Sequence, residues 1–428
     1  MSVPFSSLWG TRRIKSAASK IGSGKTPAGG SEIYVDEGVI FLRSQNVHFD
    51  GLRLDDAAYI NQETHREMRG TQVMPDDVLL NITGASLGRV ARAPRDLGES
   101  NVNQHVCIIR PTKDFDARYL AYSLASRPGQ EQIFELQVGG NREGLNFEQV
   151  GNLRLPAAPL EVQRRIANFL DNETARLDAL SRAREAQLRC LDALWQSKLA
   201  EKAETLIAAH GSLPLRRVIT SVEQGWSPQC EDVEASHTEW AVLKTSAVSS
   251  GAFQPLQHKR LPSDLQPDLR NEIKDGDVLI TRGSGSPAHV GVAAVAKTEG
   301  RRLLLSDLLY RVRVSDGWSP EFVTLLLGSM PVRARMALLF RGQSGQTIKL
   351  RAEDIKSIEI PATPAEMQTQ IVRELSSAQE HIHRAQHALR KSQSLLHEHR
   401  QSLITAAVTG QFDVTATGGL NVTEGVAV

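Results

Sequence analysis

Side chains capable of chemistry are plentiful in this 428-residue chain, but few stand at the spacings that chemistry requires. Gly22-Ser23-Gly24-Lys25-Thr26 has the ending of a phosphate-binding loop. Such a loop also needs a glycine five residues before Gly24, where Ser19 stands, and Pro27 opposes a helix starting directly after Thr26. Asp268, Glu272 and Lys274 are nuclease-like types, yet the carboxylates lie four residues apart with no strand between them to gather them around a metal. His383 and His387 share a helical face in a run with His381, His397 and His399, but no Cys or carboxylate at matching spacing completes a ligand set. Methyl transfer to an exocyclic amine would call for an Asn/Asp-Pro-Pro-aromatic loop, and the sequence contains no Pro-Pro. No catalytic or metal-ligating set emerges.

What the spacing does support is a series of polar segments, two of them glycine-containing loops, each occurring twice. Asn81-Ile-Thr83-Gly84-Ala-Ser86-Leu-Gly88-Arg89 is answered by Thr281-Arg282-Gly283-Ser284-Gly285-Ser286. Gly139-Gly140-Asn141-Arg142 is answered by Arg341-Gly342-Gln343-Ser344-Gly345-Gln346. Arg43-Ser44, with Asn46 beyond, is answered by Lys244-Thr245. Glycine lets a backbone approach a ligand closely, while Asn, Gln, Ser and Arg carry the donors and acceptors that base edges and phosphates require. Ordinary glycine-rich turns would have the same composition.

The elements that carry these loops are themselves duplicated. Gly24-Lys25-Thr26-Pro27 recurs as Gly225-Trp226-Ser227-Pro228, and Asp77-Val-Leu-Leu-Asn81 as Asp277-Val-Leu-Ile-Thr281. Pro156 followed by Glu161-Val-Gln163 recurs as Pro361 followed by Glu366-Met-Gln368. The offsets run from 200 to 205, a drift that loop insertions explain. In each half, short β-branched runs between Gly, Pro and Asp predict strands: 39–43, 78–81, 105–110 and 151–155, then 240–244, 278–281, 290–296 and 310–314. Segments 119–126 and 322–329 predict short helices.

Each half ends in a stretch free of Gly and Pro, about Leu160 to Ala209 and beyond Pro364 to Thr409, which predicts a helix of about 70 Å. A four-three spacing marks Ile371, Leu375, Ala378, Ile382, Ala385, Leu389, Ser392, Leu396, His399 and Leu403. The first helix starts likewise at Ile166, Leu170, Leu177 and Leu180 and resumes at Leu191 and Leu194. Neither stripe is buried by its own helix, so the two are expected to pair as an antiparallel coiled coil. The competing arrangement docks each helix on its own domain. The expected fold is therefore α+β, two tandem domains of mixed strands and short helices joined by two long antiparallel helices. Its boundaries are 1–158, 159–209, 210–363 and 364–409, with a flexible tail at 410–428.

Composition adds exclusions. Forty per cent apolar and 23% charged residues exclude collagen-like and disordered classes. Cys107, Cys190 and Cys230 are too few and scattered for a disulfide framework, and no apolar run reaches membrane-spanning length, so a cytoplasmic chain is expected. Fifty basic residues against 49 acidic ones give no global electrostatic signature. The basic set holds 37 Arg and 13 Lys, a bias that fits phosphate or guanine recognition and equally fits a G+C-rich genome.

The run Pro156-Ala-Ala-Pro-Leu160-Glu-Val-Gln163-Arg-Arg-Ile166-Ala-Asn-Phe-Leu170-Asp-Asn-Glu173-Thr174, together with Leu403-Ile-Thr-Ala406-Ala-Val-Thr409-Gly410-Gln-Phe-Asp413, resembles the specificity subunits of type I restriction-modification enzymes. The resemblance spans nearly the whole chain, and it implies that each globular part is a target recognition domain reading one half of a split double-stranded DNA site. The paired helices would set the gap and dock two methyltransferase subunits, joined by restriction/translocase subunits. S-adenosylmethionine, ATP and Mg²⁺ would belong to those partners, and this chain would carry no catalytic group. Two other classes stay open at this point, a coiled-coil adaptor without sequence reading and a self-sufficient methyltransferase or nuclease.

Overall fold

A computed structural model describes residues 8–25, 33–136, 144–342 and 348–411. The chain forms two compact units, Met1–Glu185 with Arg390–Val428, and Ala186–Leu389. They have the same topology.

In the first unit a four-stranded antiparallel sheet has the order Ala18–Ser23, Val106–Pro111, Val78–Asn81, Val90–Arg92. Its central strands are buried on both faces, which is why they read as unbroken apolar runs rather than alternating ones. Val78, Leu80, Cys107 and Ile109 face a helical layer, while Leu79, Val106 and Ile108 face a second sheet. That second sheet sets Val39–Leu42 between Ala58–Ile60, antiparallel, and Ser100–Val102, parallel. The other unit repeats both sheets. Ile219–Gln224, Leu309–Val314, Val278–Thr281 and Ala293–Val295 form the four-stranded sheet, and Trp240–Leu243 lies between His258–Arg260 and Arg302–Leu304.

The expected strand at 151–155 is instead a six-residue helix, Phe147–Asn152, followed by the strand Arg154–Pro156. The helix is fixed by a reciprocal pair of side-chain hydrogen bonds between Asn146 and Gln149 and is too short to show a 3.6-residue period. The expected strand at 290–296 narrows to Ala293–Val295, because Gly291 turns the chain at φ +70°.

The long helices run Leu160–His210 and Ala365–Thr409. Within each unit their segments lie antiparallel. In the first, Ile166 and Leu170 share a core with Ile404, Ala407 and Val408, and Arg400 bonds Asp178. In the second, Leu199, Ala203 and Leu206 share a core with Ile371 and Leu375, Lys202 pairs with Glu374 at 3.0 Å, and Gln386 donates to Asp192 at 2.7 Å.

The strict four-three seam needs correction. Leu180 and Leu194 are each 47% exposed, and Ala385 and His399 face outward. Covered positions also recur every 11 residues, at Ile166, Leu177, Leu188 and Leu199 on one helix and at Ile371, Ile382, Gln393 and Ile404 on the other, while the seven-spaced Leu375, Ile382, Leu389, Leu396 and Leu403 stay buried or half-buried. Eleven residues in three turns is about 3.67 per turn, close to the natural 3.6, whereas a seven-residue repeat drifts about 20° per heptad on a straight helix. Leu191, Leu389, Leu396 and Leu403 are half-buried, and Ile382 is buried.

The Glu-x-Gln motif of each half has a packing explanation. The buried Gln163 accepts from the Asp116 amide at 2.8 Å and donates to the Ala158 carbonyl at 2.7 Å. The buried Gln368 accepts from the Ser319 amide at 2.8 Å and donates to the Thr363 and Gly317 carbonyls at 3.1 and 3.2 Å. One amide thus ties the base of each long helix to the loop before the short helix Ala117–Ala125 or Pro320–Gly328.

Candidate nucleic-acid interface

At one end of each four-stranded sheet several loops are gathered by closely similar backbone hydrogen bonds. In the first unit the Gly24 amide donates to the Asn103 carbonyl at 3.1 Å, Ile82 to His105 at 3.0 Å, and Leu145 to Ile82 at 2.8 Å. In the second, Trp226 donates to Leu305 at 2.9 Å, Arg282 to Leu308 at 2.8 Å, and Leu350 to Arg282 at 2.8 Å. Gly24 and Gly225 are obligatory here, since a Cβ would sit 1.6 Å from the Val102 carbonyl oxygen or 2.1 Å from that of Leu305. The glycine that resembled a phosphate loop thus serves close backbone approach. The loop after each central strand is held in the same way, with Gly88 donating to Asn81 and Gly291 to Thr281, both glycines at positive φ. Gln130 grips the Gly88 carbonyl at 2.9 Å, and Arg333 takes the equivalent place, donating to the Val290 and Ala288 carbonyls at 2.7 and 3.2 Å. Desolvation by burial lowers the Arg333 pKa.

On these frames the side chains differ. Superposition of the hydrogen-bond patterns pairs Ile82 with Arg282, Thr83 with Gly283, Gln104 with Asp307, His105 with Leu308 and Gly144 with Lys349. In the first unit Thr83 Oγ1 lies 2.6 Å from His105 Nδ1, and His105 Nε2 lies 3.0 Å from Gln104 Nε2. In the second unit Arg282 donates to the Tyr310 hydroxyl and the Asp307 carbonyl, both at 3.2 Å, and Ser227 bonds the Asp307 carboxylate.

The sequence-derived site residues divide accordingly. Thr83 and Ser44 lie on or beside the gathered loops, Thr245 opens the short turn Thr245–Ala247 after the strand Trp240–Leu243, and Arg282 and Ser284 lie in the second frame itself. Ser86 and Ser286 are half-exposed on the neighbouring turns. Arg89 lines a groove of about 870 Å³ with Phe49, Leu87 and Phe134. Arg341 is exposed and its backbone pairs with Lys349. Arg43 is committed to the Asp56 carbonyl at 2.7 Å and stands over the Tyr34 ring, and Lys244 is paired with Asp232 at 2.7 Å. Two expectations are overturned. Asn46 is fully buried, holding the Arg53 carbonyl and the Arg43 amide, and Asn81 is fully buried with its amide on the Ser44 carbonyl at 2.7 Å. Both build the loops and present nothing outward. Asn141, Arg142, Gln343, Ser344 and Gln346 lie outside the described residues.

Sequence reasoning missed Gln104, His105, Asp307 and Tyr310. They belong to no motif; the usable signal was that residue types change at these places while the flanking apolar strands stay the same. Charged groups at the far end of the first sheet are structural. Asp77 receives two 2.8 Å bonds from Arg110, which raise the arginine's pKa against the opposing effect of burial. Among the described residues no group of three or more His, Cys, Asp or Glu is placed to hold a metal ion, and no helix is long and apolar enough to cross a membrane.

Residues 7–189 match the type I restriction modification DNA specificity domain. The EcoKI specificity subunit of Escherichia coli K12 is 23% identical over 393 residues, covering 88% of this chain and 83% of that protein. Over most of its length this chain is thus similar to a type I specificity subunit. The EcoEI specificity subunit of Escherichia coli is 28% identical over a shorter stretch of 157 residues, 36% of this chain and 26% of that protein. A solved chain from work on complex assembly and conformational transition of the type I R-M system has the same fold, with a TM-score of 0.68 at 17% identity, covering 94% of this chain and 98% of that one. This similarity to type I specificity subunits places the duplicated frames at the centre of the functional question.

Proposed function

We propose that this chain is the DNA-recognition subunit of a type I restriction-modification complex, each unit reading one half of a split double-stranded target. The observation that carries the reading is the repeated loop frame with exchanged side chains, Ile82 for Arg282, Thr83 for Gly283, Gln104 for Asp307 and His105 for Leu308. A constant backbone with variable donors and acceptors is what reading two different words with one fold requires, because the major groove presents each base pair as a distinct donor and acceptor pattern. The long helices supply a spacer of fixed length and a surface for two methyltransferase subunits, with restriction/translocase subunits joining them. S-adenosylmethionine, ATP and Mg²⁺ are assigned to those partners, and this chain contributes no catalytic group.

The test is selection from a random duplex library by the chain assembled with its methyltransferase. A split consensus with an invariant gap is expected. Recovery of unselected sequence with a stable assembly would make the chain an adaptor, and methyl transfer or cleavage by the chain alone would make it an enzyme.

A further inference from the structure

Tyr310 is buried, and its hydroxyl donates to the Leu350 carbonyl at 3.3 Å while accepting from Arg282 Nε at 3.2 Å. Both capacities of the hydroxyl are used, so it is fixed. Arg282 Nη1 is held in turn by the Asp307 carbonyl at 3.2 Å, and its guanidinium carbon stands 6.0 Å from the Tyr310 ring centroid. The guanidinium is therefore aimed by two protein acceptors, and its Nη1–Nη2 edge meets no other acceptor among the described residues. It stands at the loop end of the second sheet, where the first unit has the buried Ile82.

We infer that Arg282 is a pre-aimed guanine reader in the major groove, with Tyr310 as its positioning residue, and that the half-site read by the second unit contains a guanine with no counterpart read at the equivalent place of the first. The inference rests on the reading of the chain as a DNA-recognition subunit. Two parallel N–H donors match the O6 and N7 acceptors of guanine. A fixed arginine fork also suits a phosphate, but a phosphate contact weakens binding to every sequence alike when it is lost, whereas a guanine contact acts at a single base pair. Nothing equivalent is available to Ile82, so the first unit must read with other groups, of which Thr83 and the Gln104–His105 pair are nearest.

The experiment uses the full chain assembled with its methyltransferase and synthetic duplexes bearing its selected target. Each base pair of the half assigned to the second unit is changed in turn, and each guanine is separately replaced by 7-deazaguanine. Arg282→Ala and Arg282→Lys should both lose roughly 5- to 150-fold discrimination at one G·C pair and at no other. The lysine variant should keep its affinity for random DNA. Tyr310→Phe should lose part of the discrimination at that same pair with the thermal midpoint tracked separately. A half-site without guanine overturns the inference, as does an arginine-to-lysine change that leaves discrimination intact, or an effect spread evenly over all sequences. If the unaltered assembly itself shows no sequence preference, the DNA-recognition reading fails; if it does and Arg282→Ala leaves it untouched, only the guanine assignment fails.

Discussion

Replacing Gln163 by Leu keeps the volume and removes both hydrogen bonds that join the first long helix to its domain. The Asp116 amide and the Ala158 carbonyl would lose partners at 2.8 and 2.7 Å in a place where Gln163 is almost fully buried. An unsatisfied buried polar group costs about 1–3 kcal/mol, so two of them cost about 2–6 kcal/mol, and the added apolar surface offsets about 1 kcal/mol of that. The expected net loss is about 1–5 kcal/mol, confined to the first unit. Gln368→Leu orphans one amide and two carbonyls, so it should cost the second unit at least as much. Urea unfolding followed by amide hydrogen exchange reads the two effects separately, through the Asp116 amide in one variant and the Ser319 amide in the other. Parental unfolding midpoints and unchanged exchange at both amides would refute the argument that these glutamines fasten the helices.

Gly24→Ala and Gly225→Ala should each destabilise one unit and disturb its loop frame, because the new methyl would lie 1.6 and 2.1 Å from a main-chain oxygen; differential scanning calorimetry should resolve the lowered transition. Leu170→Ala should cost about 2–5 kcal/mol, whereas Leu180→Ala at a half-exposed position should cost under about 1 kcal/mol, a contrast that a seven-residue seam would not produce. Burial pushes the Cys107 thiol up to about 12, so alkylation at pH 8 should label the exposed Cys190 and spare Cys107 until the chain unfolds. The sign of the linkage follows: an unfolded thiol ionises near its ordinary 9.0 while the folded one stays neutral, so this group's contribution to stability is intact below pH 9 and falls as pH rises from 9 to 12.

Much of the architecture was legible because it rests on patterns with a physical cause. Val78–Asn81 and Val278–Thr281 are sandwiched between two layers, and a short apolar run bounded by turns announces such a strand. The duplication was legible through Gly24 and Gly225, whose backbone contacts admit no side chain. The helix face was less so. Four-three spacing over a few turns does not distinguish a seven-residue from an 11-residue repeat, and Leu188 completes the latter only when the covered faces are seen. The candidate interface was legible as loops rather than as side chains. Asn46 and Asn81 have the residue type of base readers, but short amides are equally apt to close loops internally, and both do. Gln104, His105 and Asp307 are brought beside Thr83 and Arg282 only by strand pairing across about 20 residues or more, which no local motif encodes.

The central claim is that each unit reads its own half of one split word. Its most direct test is the methylome of cells in which residues 210–363 are exchanged for the corresponding segment of a relative with a different target. The account predicts that one half of the methylated word changes while the other half and the gap stay fixed. A change in both halves, or methylation that persists with the word unaltered, would contradict it.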